Sequence, residues 1–274
     1  MIDWIAQADR IRLVAFLVAI VAFALWEALR PRRDVTDRKR RWTGNFGLFL
    51  SGAMLVRLLI PVLPVAFAVW CETNGIGLFN TVTLSRWLAI PLAVVALDLA
   101  IYWQHRWMHA IPMLWRLHRV HHADTEFDVT TAIRFHPLEI ALSLGYKMVI
   151  IAALGANALA VVIFEIVLNV SAMFNHANIS LSPAVDRRLR RLLVTPDFHR
   201  VHHSADQRET DMNYGFCLTL WDYLFRSYKS QPEKSHQSMT IGLEYFREPN
   251  EHRLPALLTQ PFRSAAQNKE SGVQ

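Results

Sequence analysis

The sequence predicts an all-α integral membrane protein of four to five transmembrane helices, with a cytosolic helical cap holding a His-rich di-metal site. Three observations lead there. Of the 274 residues, 53% are hydrophobic. They lie in long blocks separated by basic or His-rich stretches, the pattern of a membrane protein. The five residues HRVHH occur at 118–122 and again at 199–203. The similarity fades within a few residues on either side, so this is not a duplicated domain. It marks a chemical requirement met twice.

A bilayer-spanning helix needs about 20 mostly apolar residues. Residues 11–29 (IRLVAFLVAIVAFALWEAL) satisfy this. A signal peptide is not expected, because Asp3 and Asp9 offset Arg10 and Arg12 and no small-residue cleavage site follows. Residues 30–42 (RPRRDVTDRKRRW) hold seven basic and two acidic side chains, five of the chain's net +6 charges. Directly after a span, such a cluster reads as a cytoplasmic topology signal. No nucleic-acid motif accompanies it, so no nucleic-acid partner is expected.

The second span lies near 46–70, where Pro61 and Pro64 predict a kink or break. The polar stretch 71–86 is expected to lie in the interface, and a re-entrant pair over 46–86 would change the count of spans. The third span covers 87–104. Two more fill 138–173, turning at Gly155-Ala156-Asn157 as a helical hairpin. Counting from a cytoplasmic 30–42, residues 105–137 and everything after 174 face the cytoplasm. All twelve histidines then fall on one side of the membrane. The cap is expected from 105–137 and 174–250, in a single domain over 1–261. The polar tail 262–274 is expected to be disordered. Cys71 and Cys217 are too few for a disulfide framework and read as buried thiols.

Eight histidines form three local patterns. His105 and His109 make H-x-x-x-H. His118, His121 and His122, and likewise His199, His202 and His203, make H-x-x-H-H. Residues three and four apart share a helix face, so each pattern aims two or three imidazoles one way. One such pair is commonplace; three clusters call for cations, and imidazole suits iron, zinc, copper and nickel. Eight ligands exceed what one tetrahedral zinc takes and are enough for two metals sharing a site. His136 in RFHPLE and His176 in FNHANI sit at the same membrane level and are expected as additional ligands. Four positive charges on neutral ligands beside hydrocarbon need compensation. Asp98 and Glu165, acids within predicted spans, are therefore expected to orient ligands through hydrogen bonds. The alternative is a protonated carboxyl bonded to another helix.

At this point the chain resembles the fatty acid hydroxylase (sterol desaturase) superfamily of membrane-bound histidine-box oxygenases. DLAIYWQHRWMH at 98–109 looks like its first box, RFHPLE and FNHANI like intervening segments, and MNYGFCLTLWDYLFRSY at 212–228 like the segment after the last box. The resemblance covers residues 90–230 and is weak over 1–90, which is expected to shape the substrate entrance. It implies two iron ions, with zinc possible in purified protein, and O₂-dependent oxidation of a lipid C–H bond. Hydroxylation is expected over desaturation. Some relatives carry a fused cytochrome b5-like domain. No segment here has room for one, so a separate electron donor of ferredoxin, cytochrome b5 or reductase type is expected. The basic run 187–191 reads first as a solvated basic face near the membrane, and second as a surface for that donor or for anionic headgroups. A bacterial inner membrane, with the metal site on its cytoplasmic face, is expected over an endoplasmic reticulum membrane.

Three other classes compete with this reading. A haem electron carrier needs histidines in mid-span, and no predicted span has one. A metal transporter places polar groups along a midplane path, whereas these histidines lie on one side. A structural zinc protein stays open, because zinc also accepts imidazole.

Overall fold

The computed structural model describes residues 2–60, 62–82 and 84–264. Among the described residues thirteen α-helices run in order: α1 (Ile2–Leu29), α2 (Arg38–Leu59), α3 (Pro64–Thr73), α4 (Leu78–Thr81), α5 (Arg86–Ala110), α6 (Pro112–His122), α7 (Pro137–Leu154), α8 (Ala158–His176), α9 (Pro183–Leu189), α10 (Pro196–His202), α11 (Gln207–Thr210), α12 (Leu220–Leu224) and α13 (Leu254–Thr259). Among the described residues there is no strand beyond three isolated bridges, such as Pro31 with Ile179.

Among the described residues five stretches are long and apolar enough to cross a membrane: Gln7–Leu29, Arg38–Thr81, Arg86–Ala110, Pro137–Leu154 and Ala158–His176. The second is one crossing in pieces, not a re-entrant pair. The helix stops at Leu59, the backbone is extended at Leu63, and Pro64 restarts it at a first-turn position where its missing N–H costs nothing. Beyond α3 the chain reaches the far side. There Gly77 packs on Gly155 of the α7–α8 turn, and a Cβ on Gly77 would lie 2.1 Å from the Gly155 nitrogen. Both glycines have positive φ, 98° and 63°, a conformation that costs other residues dearly.

The bundle packs α1 against α8, α2 against α7, and α5 against α8. Its interior is built from small or apolar side chains, among them Ala68, Ala93, Leu97, Ile151, Ala160 and Phe164. Small residues let helix backbones approach closely where lipid removes the hydrophobic drive between helices. The outer faces carry exposed Leu17, Val21, Leu25, Trp87, Leu142 and Val149, which suits hydrocarbon rather than water.

The cap, 112–136 and 177–264, closes one end of the bundle. The basic stretch reads as a topology signal, and the structure gives it a second use as the cap's fastening. Arg41 is fully buried, its guanidinium 2.5 and 2.8 Å from the two oxygens of Asp124 and 2.7 Å from Asp128. Burial pushes the Asp124 carboxyl up, but the charges of Arg41 and Arg134 outweigh it and hold the group below the usual carboxylate range. Arg32 clasps Asp197 through two hydrogen bonds of 3.0–3.1 Å, and Arg33 donates to the carbonyls of His236 and Met239.

The expected tail starts too early by at least three residues. Gln260–Phe262 forms a 3₁₀ turn, Arg263 pairs with Glu251, and Arg119 donates to the Arg263 carbonyl. The remainder, 265–274, lies outside the described residues.

Candidate metal centre

Nine imidazoles meet where the bundle joins the cap. They form two groups, within each of which the ligand atoms all lie within 4.8 Å of one another: His105, His109, His118, His122 and His202 in the first, and His121, His176, His199 and His203 in the second. Helical spacing explains the sorting. His105 and His109 share one face of the last turns of α5. His118 and His122 share one face of α6, and His121 points off it. In the second repeat His199 and His203 go to the second group and His202 to the first. Each HRVHH thus gives its i, i+4 pair to one group and its odd member to the other, and the two repeats do so in opposite senses. This crossing is the physical reason for two copies of one pentapeptide: each group is tied to both α6 and α10.

Hydrogen bonds fix several rings. Nδ1 of His105 faces the Tyr214 carbonyl at 2.8 Å, His202 the Met212 carbonyl at 2.8 Å, and His176 the Ala172 carbonyl at 2.7 Å. His118 Nδ1 lies 2.6 Å from Glu139 and His109 Nδ1 lies 3.3 Å from Asp211. A carbonyl or carboxylate accepts, so Nδ1 carries the proton and Nε2 keeps its lone pair for a metal. Nε2 of His109, His118, His122 and His202, and both nitrogens of His203, are buried with no partner. Unpartnered buried polar atoms are costly. In the second group the Nε2 atoms of His121 and His199 lie 3.2 and 3.1 Å from that of His176. Such spacing suits a shared cation, given metal–nitrogen bonds of about 2.0–2.1 Å.

Burial, and then the charge each imidazole would present to the next, push His121, His122, His199 and His203 well below the ordinary histidine range and His202 down to about 3. These rings are neutral at physiological pH, the form that ligates. The residues present therefore fit two metal ions.

The remaining expected residues lie elsewhere. His136 joins neither group. It caps α7, its Nδ1 accepting from the Leu138 N–H, and its Nε2 is 3.3 Å from the Leu258 carbonyl. Asp98 touches no imidazole. It accepts from Cys217 N, Leu218 N and Trp221 Nε1 at 2.8–3.2 Å, and so holds the segment whose Tyr214 carbonyl faces His105. Glu165 pairs with Arg12 and Lys147, both at 2.7 Å, about 16 Å along α8 from His176 at 1.5 Å per residue. The carboxylate that does touch a ligand ring within the bundle is Glu139. Its sequence signal was an acid one turn into an apolar span.

A cavity of about 390 Å³ runs from this centre into the bundle. It ends on His105 and His118 of the first group and His121 and His199 of the second. Its walls are mostly apolar and come from every spanning stretch, including Phe16, Phe49, Val56, Ile101, Leu144 and Leu168. On the opposite side, the Trp115 ring lies 5.0 Å from His109 and 5.4 Å from His122, centroid to centroid. Trp115 also lines a polar depression on the outer surface of the cap.

Comparison with known proteins agrees with this geometry. The family model described as fatty acid hydroxylase matches residues 90–227. Alkylglycerol monooxygenase of Homo sapiens is 29% identical over 178 residues, 62% of this chain and 37% of that protein. An ornithine lipid hydroxylase of Rhizobium tropici is 25% identical over 237 residues, 84% of this chain and 70% of that protein. A very-long-chain aldehyde decarbonylase of Oryza sativa subsp. indica is 26% identical over 208 residues, 71% of this chain and 30% of that protein. The chain thus spans well under half the length of the monooxygenase and the decarbonylase. No solved structure matches it significantly. All nine clustered histidines fall inside the matched half, and the chain belongs to the fatty acid hydroxylase family.

Proposed function

We propose that this protein hydroxylates a C–H bond of a membrane lipid, using O₂ and two iron ions. The observation that carries the reading is that one apolar cavity inside the membrane bundle ends on imidazoles of both groups. When bound, the iron ions supply O₂ reduction and the oxidising power for an unactivated C–H bond. His105, His109, His118, His122 and His202 would hold one ion, and His121, His176, His199 and His203 the other. Glu139 and the carbonyls of Tyr214, Met212 and Ala172 keep the rings in the ligating tautomer. The apolar walls exclude water and hold an alkyl segment against the centre. Phe16, Phe49 and Val56 lie outside the family match, so the N-terminal helices shape the entrance.

Electrons come from a separate carrier, and the depression beside Trp115 gives it a route to the first group. The basic stretch beside the cap supports a cytoplasmic centre, and the alignment to the bacterial lipid hydroxylase over 84% of this chain supports a bacterial inner membrane.

The test is lipid analysis in a lipid-rich host, under several electron donors, for the wild type and His121→Ala. A lipid species gaining one oxygen in the wild type alone is the expected result. Loss of two hydrogens instead indicates desaturation, and identical profiles contradict both reactions.

A further inference from the structure

The oxidisable rings around the centre are not shared evenly. Among the described residues, and apart from the histidines themselves, the second group of imidazoles meets only phenylalanine rings, Phe127 and Phe135. Phenylalanine does not give up an electron under biological conditions; tyrosine and tryptophan do. One of each meets the first group. Trp115 lines the depression through which the donor reaches the centre. Tyr214 is buried, 5.7, 5.2 and 5.6 Å from the His105, His109 and His202 rings, centroid to centroid. From Tyr214 the rings continue outward in contact steps. Tyr102 follows at 6.3 Å, Trp103 at 5.8 Å and Trp107 at 6.4 Å. Tyr102 is fully buried, whereas Trp107, in the last turn of α5, is 42% exposed.

A tyrosine gives up an electron readily only if its phenol proton has somewhere to go. Both tyrosines have an acceptor. The Tyr214 hydroxyl lies beside the Asp211 carboxylate. Ser227 spends its hydroxyl on Asp222 at 2.6 Å, so Tyr102, 2.7 Å from Ser227, is the donor of that pair. Tyr146 differs. It touches Trp107 at 5.8 Å, but its hydroxyl donates to the Ala100 carbonyl, which is no base. The Arg106 guanidinium lies 5.4 Å from the Trp103 ring and 5.6 Å from that of Tyr214. Its charge penalises a radical cation on Trp103 but not a neutral, deprotonated tyrosyl. An oxidising equivalent therefore rests on the tyrosines until an electron arrives through the tryptophans.

We propose that Tyr214, Tyr102, Trp103 and Trp107 form a one-electron relay that reduces an oxidised centre from the protein surface when no lipid is there to be oxidised. The oxygenase reading supplies the oxidant, and the relay rests on it. Tyr214 gives one electron to the centre and its phenol proton to Asp211. Tyr102 returns an electron to Tyr214, which takes its proton back, while the proton of Tyr102 passes through Ser227 to Asp222. Trp103 and then Trp107 refill Tyr102, and that proton returns. A small one-electron reductant of the ascorbate or thiol class restores Trp107. The sum is one electron moved from reductant to centre, with every phenol proton back in place. The imidazoles, the nearest groups otherwise open to oxidation, are spared.

The experiment uses full-length protein in lipid nanodiscs, its centre filled with zinc, which imidazole accepts and which has no redox chemistry of its own. A ruthenium photo-oxidant is attached at Ala110→Cys, an exposed position one turn beyond Trp107; both native cysteines are buried. A laser flash with a quencher removes one electron, and transient absorption and electron paramagnetic resonance record where the loss settles. A tyrosyl radical is the expected result. Tyr102→Phe with Tyr214→Phe should abolish it and leave a tryptophanyl radical, although each ring keeps its shape. Trp107→Phe should abolish it by closing the entry, and Tyr146→Phe should change nothing. No tyrosyl radical in the parent protein, or one that persists in Trp107→Phe or in the double variant, overturns the proposal.

The zinc form carries out no turnover, so the relay and the oxygenase reading fail separately. A tyrosyl radical in a protein whose iron form oxidises no lipid supports the relay and counts against the oxygenase reading. Lipid oxidation without the radical does the reverse.

Discussion

If each imidazole group holds one ion, as proposed, replacing His199 and His203 together by alanine is expected to cost one of the two ions and all lipid oxidation. The change leaves the second group with His121 and His176 alone, too few to hold an ion against water. The first group, losing nothing, keeps its own. The mirror variant, His118→Ala with His122→Ala, leaves three imidazoles in the first group: His105, His109 and His202. Three protein ligands still hold a metal in many catalytic sites. This variant should retain a fraction of its second equivalent until a mild chelator removes it. Metal analysis before and after chelation checks both. If the first variant loses both ions, or if the two behave alike, the crossed assignment of the repeats is wrong.

Asp124→Ala is expected to destabilise the protein by about 3–5 kcal/mol, the usual cost of breaking a buried ion pair by removing one partner. Arg41 and Asp124 are both fully buried, and the change leaves the guanidinium only Asp128 and Thr131. The damage reaches the metal centre, since Asp124 follows His122 by two residues. In the same network Arg134 donates to the Val120 carbonyl inside the first repeat and to Asn45. Thermal unfolding in detergent reads the loss. A double change, Arg41→Met with Asp124→Leu, should recover much of it, because an uncompensated buried charge costs more than the pair contributes. Asp128 keeps the Thr130 N–H and hydroxyl and the Trp42 ring N–H. A single variant as stable as the wild type would remove this network from the account.

The clustered imidazoles were legible in the sequence and their partners were hidden, for a physical reason. Imidazole clusters and apolar blocks are local patterns, so the spans, the break at the prolines and eight of the nine clustered histidines are readable from spacing. His176, a lone residue at a helix end, came from its position and the family resemblance. What the acids and arginines touch depends on packing between distant segments. Asp98 lies 119 positions from Cys217 and Arg41 lies 83 from Asp124; no spacing rule reaches that far. His136 and Glu139 stand three residues apart at the start of one helix, yet the first caps that helix and the second meets His118. Their roles follow from which way each side chain leaves the first turn of α7. The distribution of the two HRVHH copies between the groups likewise emerges only once α6 and α10 face each other.

Elemental analysis of freshly purified protein, loaded anaerobically with ferrous iron and freed of loosely bound metal, tests the central claim most directly. Two facing sets of neutral imidazoles predict about two iron ions per chain. A plateau at one ion or fewer, with all nine histidines intact, would contradict it.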